Sequence, residues 1–338
     1  EIKGSNVAHL VKMSDMHIGN SATDHKLISE FVNYVKAKPN RFVVFPGDEG
    51  DGTNSKHSDT TQSQSLLTPD QEIDYLGDKV LLPLLGRIAG MSSEYAGHLF
   101  AWIYEASGLN IWKFISRMYG RFPILPPGED VLIQLPNASR PARTKVYHDP
   151  GSASKNNPLK GVVEISESFP ANHPEKPDEV TAGHFHFNSA AQIVRPGGQI
   201  ETVSMNGAFK GIHSNQKDRF AQKKQRGKLY DPPGANTLIW THKNEGQKHE
   251  LFVYPSTDLK TGTLLYDALM LRDHIPNKTI GDLQGQINAD EPTPKVVIRY
   301  NAGVSAIDQY TEGKSQAKQY DSIDVSITTK RPFLYYPL

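Results

Sequence analysis

An α/β fold is predicted for this chain of 338 residues from three observations. Near the start, an apolar strand, an amphipathic helix and a second apolar strand follow one another. From Val131 onward strand signals dominate, separated by turns. Polar, chemistry-bearing residues stand directly after several strands, where ligands bind in open α/β sheets.

The first strand is "VAHLVKM", and "TDHKLISEFVNYVKAKPN" reads as the helix behind it. Asp24 or Thr23 can cap that helix, Leu27, Phe31, Tyr34 and Val35 form its apolar stripe, and Pro39-Asn40 ends it. "RFVVF" is a short strand apolar enough to be buried on both faces, and it runs straight into "PGDEGDG". After a polar stretch from Thr53 to Thr68, "PDQEIDYLGDKVLLPLLGRIAGM" is predicted helical, with Pro69 suited to its first turn. The aromatic run "HLFAWIYEASGLNIWKFISRMYG" is predicted to be a second helix. Strands are expected at "VLIQL", "TKVYH", "GVVEI", "AQIVR", "IETVSM", "TLIWTH" and "HELFVYP". Toward the end, "KVVIRY" and "SIDVSI" read as short strands, with a helix near Thr263 to Arg272.

Composition narrows the chemistry. Lys plus Arg and Asp plus Glu are both 37, so no global field announces a nucleic-acid or membrane partner. With no cysteine, disulfides, thiolate metal sites and cysteine nucleophiles are all excluded. The stretch Val80 to Met91 is apolar but interrupted by Pro83, Gly86 and Arg87, and is too short to span a bilayer. A cytoplasmic chain without a membrane partner is expected. The remaining anomaly is thirteen histidines, several of them placed just after strands.

Four such placements recur in chain order. Asp15 and His17 are two apart at a strand end, a spacing that turns both side chains to one side of a strand. Alone this D-x-H is weak, because a chain rich in histidine offers one by chance. Asp48 follows Gly47 in "GDEGD", and His148 closes the strand in "KVYHDPG". Last, His184 and His186 follow Gly183 in "DEVTAGHFHFN". Two carboxylates and four imidazoles make a donor set suited to Mn, Fe, Zn or Ni rather than Mg or Ca. Six donors exceed one tetrahedral site, so two divalent ions sharing a carboxylate are expected, with a single ion as the lesser case.

D-x-H, GD-x-x-D, a lone His and G-H-x-H, in that order, resemble the calcineurin-like metallophosphoesterases over about residues 7 to 210. The resemblance implies a four-layer α-β-β-α sandwich, here spanning residues 1–250, with a β-rich C-terminal extension over 251–338 that caps, docks or joins copies of the chain. It implies that Asp15, His17 and His186 hold one ion, that Asp48 bridges, and that His148 and His184 hold the other. It implies attack of a metal-bound hydroxide on a phosphate ester. A diester, nucleic acid included, is favoured over a monoester.

One element of the family departs. Its Gly-Asn-His-Glu or Gly-Asn-His-Asp segment is expected just after "VLLPLLGRIAG", where "MSSEYAGHLF" stands instead. His98 is the candidate replacement acid and Glu94 the candidate oxygen ligand. Asp51 keeps the second acidic position of GD-x-x-D and, with His98, completes the candidate catalytic residues, as a group that orients a ligand. The basic run Lys217 to Lys228 is a solvated face or, beside the pocket, a contact for a polyanion. Without the Asn-His pair, the alternative is a catalytically impaired member acting as a binding or structural module.

Overall fold

Two mixed β-sheets organise the chain in the computed structural model, which describes residues 6–51, 67, 69–92, 123–153, 157–170, 173–195, 198–210, 233–243, 246, 248–274, 297–299 and 325–326. The strands are β1 (Val7–Lys12), β2 (Arg41–Phe45), β3 (Ile88–Ser92), β4 (Ile124–Leu125), β5 (Glu129–Gln134), β6 (Ala142–Val146) and β7 (Glu179–Ala182). They continue with β8 (Ser189–Val194), β9 (Ile200–Met205), β10 (Ala235–Lys243), β11 (His249–Ser256), β12 (Val297–Arg299) and β13 (Val325–Ser326). The first sheet has the order β11-β10-β1-β2-β3-β4, with β1 to β4 parallel. The second has the order β13-β12-β5-β6-β7-β9-β8, in which β6, β7 and β9 are parallel neighbours.

Among the described residues four α-helices attend the sheets: α1 (His25–Lys36), α2 (Pro69–Tyr75), α3 (Lys160–Glu167) and α4 (Leu259–His274). Asp24 caps α1 by accepting from the Leu27 N–H. The face α1 buries is Ile28, Phe31, Val32 and Val35, with Leu27 and Tyr34 at its margins, so the stripe is rotated slightly from the expected one. These residues pack on Val11, Val43 and Phe45, the outer face of the first sheet. On the second sheet, Val162 of α3 packs against Val180, Ala182, Val203 and Met205.

Two segments differ from the sequence expectation. The helix expected over 69–91 ends early: α2 widens into a π-helical turn (Leu76–Leu81), tightens into a 3-10 turn (Leu82–Leu84), and gives way to β3. Pro83 lacks the N–H that a longer α-helix would need, and Gly86, at φ 77°, reverses the chain into the strand. "GVVEI", expected as a strand, lies in α3. Its β-branched residues are offset by burial of Val162 and Ser166 four apart, the helical period. The expected boundary at residue 250 falls within β11, which pairs with β10 along its whole length. Residues 259–274 are the helix α4, whose Tyr266, Leu269 and Met270 pack on Val7, Leu238 and Trp240. Beyond it, β12 extends the second sheet beside β5.

The space between the sheets has two halves. One is apolar: Ala8, Leu10, Phe42, Val44, Ala89 and Leu125 meet Val131, Ile133, Ala142 and Val146. The other is polar. Lys12 and Glu179, both fully buried, form an ion pair of 2.7 Å. Glu179 also accepts from Ser204 Oγ at 3.1 Å, Thr144 Oγ1 at 3.2 Å and Thr237 Oγ1. Because side chains alternate along a strand, Lys12 shares the inward face with Ala8 and Leu10. Satisfied in this way, the pair ties β1 and β10 to β6, β7 and β9.

The other face of β1 carries a buried His9 beneath α4. Its Nδ1 lies 2.7 Å from the Tyr34 hydroxyl, and its ring stacks on Tyr266 at 5.8 Å. Burial, with help from the Arg41 and Lys12 charges, holds His9 well below the usual imidazole range. The neutral ring is therefore the native form. Unfolded chains take up a proton below about pH 6.5 and folded ones do not, so acidification through that point costs stability. The slope is up to about 1.4 kcal/mol per pH unit for this one group. A His9→Gln chain is expected to lose that part of the slope between pH 6.5 and 5, read from urea midpoints against the parent. Equal slopes would show that His9 takes a proton in place.

Candidate metal centre

The loops after β1, β2, β6 and β7 meet at one rim, at the carboxyl ends of parallel strands from both sheets. They bring six side chains into two groups that could each hold a metal ion: Asp15, His17 and His186, and Asp48, His148 and His184. Within a group the donor atoms all lie within 4.8 Å of one another. In the first, His17 Nε2 and His186 Nε2 are 3.1 Å apart, and His186 Nε2 is 3.2 Å from Asp15 Oδ1. In the second, His148 Nε2 is 3.3 Å from both Asp48 Oδ2 and His184 Nδ1. Two donors each about 2.0–2.2 Å from one transition-metal ion stand roughly 3 Å apart, so the spacing fits such ions. Asp48 Oδ2 is also 4.0 Å from His17 Nε2, which makes it the oxygen that faces both groups.

The backbone that presents these donors is not a strand. Asp15, His17, Asp48, His184 and His186 have φ between 47° and 68°, and among the described residues they are all the non-glycine residues with positive φ. The expectation that Asp15 and His17 share a side because a strand alternates is therefore corrected: β1 has ended, and each is turned by a left-handed backbone. Such a conformation costs about 1–2 kcal/mol per residue. Among the described residues, left-handed strain at non-glycine positions falls on these five alone.

Cross-links hold the strained turns. Asp15 N donates to Gly47 O, His17 N to Asp48 O, Ile18 N to Glu49 O and Asp51 N to Ile18 O, at 2.9 to 3.0 Å. Gly183 N donates to His148 O at 3.0 Å, and Phe209 N to Asp15 O at 3.1 Å. Two glycines give the necessary room. A Cβ on Gly47 would overlap the His148 ring, and one on Gly183 would overlap Ser14 Oγ and Asp15 Oδ2.

Neighbouring polar groups orient the donors. Asp51 Oδ1 lies 3.3 Å from His17 Nδ1, and the other oxygen, Oδ2, accepts from Asn20 Nδ2 at 2.9 Å. A carboxylate on Nδ1 leaves Nε2 as the outward donor, the usual support for a ligating histidine. Asp51 is thus placed against the His17 ring. Asp15 accepts from Ser14 Oγ and, with both oxygens, from the His184 N–H at 3.0 and 3.1 Å.

The site has a strong negative field. Burial alone would lower His148, yet the Asp48, Asp15 and Glu49 carboxylates push it up to about 9. His17 is raised in the same sense: burial opposes the change, and Asp51 and Asp48 outweigh it. Asp15 is held below the usual carboxylate range, because His186 and His148 more than offset its burial. The two histidine shifts favour the imidazolium form and the Asp15 shift favours the carboxylate, so in the metal-free chain charges of both signs sustain one another at the rim. Asp15 and His148 are fully buried, whereas His184 and His186 are partly exposed, so the centre opens on their side.

Six of the seven expected metal ligands, and Asp51, therefore meet at one place. Glu94 and His98 lie outside the described residues, as do His57 and the run Lys217 to Lys228. Sequence reasoning missed Ser14 and Asn20, which flank the D-x-H, and Glu49, which stands inside GDEGD; none has a fixed spacing to announce a role. It also missed Lys210. That residue bridges to Thr23, and its charge is felt by both His17 and Asp51. Within the described residues no helix is long and apolar enough to cross a membrane.

No protein-family model matches the chain, and no curated protein matches it either. Among solved structures it is similar to Vps29 of Chaetomium thermophilum, at 9% identity and a TM-score of 0.31, over 75% of this chain and 97% of that one. A likeness at that score decides neither fold nor function.

Proposed function

We propose that the chain is a metal-dependent phosphoester hydrolase, acting on a phosphodiester at a centre of two divalent transition-metal ions. The observation that carries this reading is the pair of three-residue donor groups facing one carboxylate oxygen across the rim. The framework is read as a four-layer α-β-β-α sandwich, supported by the apolar clusters of α1 and α3 on the outer faces of the two sheets.

When bound, two such ions neutralise a phosphoryl group and acidify water to a pKa of about 7. The chain's own residues do the positioning. Asp15, His17 and His186 would hold one ion and His148 and His184 the other, with Asp48 facing both groups. Asp51 sets the His17 ring, and Ser14 with the His184 N–H fixes the Asp15 carboxylate. Lys210, beside His17 and Asp51, adds a cation suited to an anionic substrate.

Metal analysis of the purified full chain, with hydrolysis of bis-p-nitrophenyl phosphate and of a short oligonucleotide in added Mn²⁺, tests this. Two ions per chain and turnover lost on chelation are expected. A folded chain that stays metal-free and inert in excess Mn²⁺ would overturn the reading in favour of a binding or structural module.

A further inference from the structure

Glu72 is a buried carboxyl that the assignment above does not use. It stands on α2, 2% exposed, with its side chain against the loop that carries His17. The contact is made at Gly19, where a Cβ would meet Glu72 Oε1 at 2.2 Å, Cδ at 2.4 Å and Cγ at 2.7 Å. The carboxyl therefore occupies the place of a side chain that Gly19 lacks. Gly19 has φ 104°, a conformation that L side chains rarely adopt, so both the turn and its filling depend on glycine.

The loop is clamped between α2 and the Asp48–Asp51 turn. Met16 and Ile18, fully buried, share an apolar cluster with Ile73 of α2 and Leu76 of the π-helical turn. Ile18 N donates to Glu49 O, and Ile18 O accepts from Asp51 N, both at 2.9 Å. Asn20, the residue after Gly19, donates from Nδ2 to Asp51 Oδ2 at 2.9 Å, and Asp51 Oδ1 faces His17 Nδ1 at 3.3 Å. Contacts thus run without a break from Glu72 through Gly19, Asn20 and Asp51 to His17, a donor of the first group. None of Asp48, His148 and His184 belongs to that run. The helix has other anchors, Ile73 in the apolar cluster and Tyr75 edge-on to His25 with ring centroids 4.7 Å apart.

We propose that Glu72 is a positioning residue of the first ion's site: by filling the space over Gly19 it fixes the turn from which Asn20 holds Asp51 against the His17 ring. The inference rests on the two-ion reading and deepens it, because the two ions should answer differently to a residue that belongs to neither donor group. Removing a group that orients a metal ligand from behind typically costs about 10–100-fold in affinity. Glu72 stands further back along the same run of contacts, so the low end of that range, about 10-fold, is expected.

Calorimetric titration of Mn²⁺ into the chelator-stripped full chain tests the proposal. The parent is expected to bind two ions. Glu72→Ala is expected to weaken one of them about 10-fold and to leave the other unchanged. With His148→Ala added to both chains, which takes a donor from the second group alone, the ion that stays tight is expected to show the same loss. Glu72→Gln, which keeps the length of the side chain over Gly19, is expected to bind both ions nearly as the parent does. Should Glu72→Ala not fold, Glu72→Asp, shorter by one methylene, carries the same expectation. A folded Glu72→Ala chain that binds both ions as tightly as the parent overturns the role of Glu72 and leaves the two-ion reading intact. Equal weakening of both ions, or a loss that Glu72→Gln shares in full, shows a general structural part and also overturns the proposal. A parent that binds fewer than two ions overturns the two-ion reading and this inference with it.

Discussion

Asp48→Asn is expected to reduce metal content from two ions to at most one and to lower kcat about 10³-fold or more, with the fold retained. Asp48 carries the oxygen that faces both donor groups, 3.3 Å from His148 Nε2 and 4.0 Å from His17 Nε2. An amide has the same shape but no charge, and a neutral oxygen is a poor bridge between two dications. Losing the electrostatic stabilisation of one ion is worth on the order of 4 kcal/mol in the transition state, which is about three decades in rate. Asparagine is the informative replacement because of the backbone. At φ 52°, Asn and Asp are tolerated, whereas Ala would add left-handed strain and confuse loss of a ligand with loss of the turn. The melting temperature of the metal-free chain should therefore change little. Mass spectrometric metal analysis and steady-state kinetics at saturating Mn²⁺ measure the effect. An Asp48→Asn chain with two ions and parental turnover would remove Asp48 as a bridge.

Lys12→Met is expected to destabilise the chain by about 3–5 kcal/mol, the largest stability effect foreseen. The substitution leaves Glu179 fully buried with three hydroxyl donors but no cation. Removing both charges, as Lys12→Met with Glu179→Leu, should recover much of the loss, because no uncompensated charge remains. The double-mutant cycle, read by denaturant unfolding, isolates the coupling between the two sites. Additive effects would mean that the pair is not a unit. A second consequence concerns the rim. Asp15 and His17 follow β1, and His184 and His186 follow β7, so the pair fastens the two strands from which the first donor group hangs. Loosening it is expected to weaken metal binding although neither residue touches the centre.

Much of the centre was legible along the chain. Asp15, His17, Asp48, His148, His184 and His186 were all picked from the types of donor and their places after strands, and all six converge. The reason is local: a strand that ends in a donor delivers it to the rim, and parallel strands deliver theirs to the same rim. The strands "RFVVF" and "KVVIRY" and the helix after Asp24 were readable for similar reasons, since apolar period and cap residues act within one element. The misreadings lie where local preference met a tertiary demand. "GVVEI" has the β-branched residues of a strand, but the second sheet needs a covering helix and buries Val162. "GRIAGM" continues an apolar helical pattern, yet its last residues pair beside β2.

Residue type and order alone determined which side chains would gather, because donor chemistry and strand-end position are properties of short segments. Only the tertiary structure decided how they are aimed. The left-handed turns at five of the donors, the room that Gly47 and Gly183 leave for partners far along the chain, and the Lys12–Glu179 tie all depend on contacts between the two sheets. Burial of Glu49 without a partner belongs to the same class. A spacing rule cannot report it, because the burial that pushes the Glu49 carboxyl well above the usual carboxylate range exists only once the surrounding chain has closed over it.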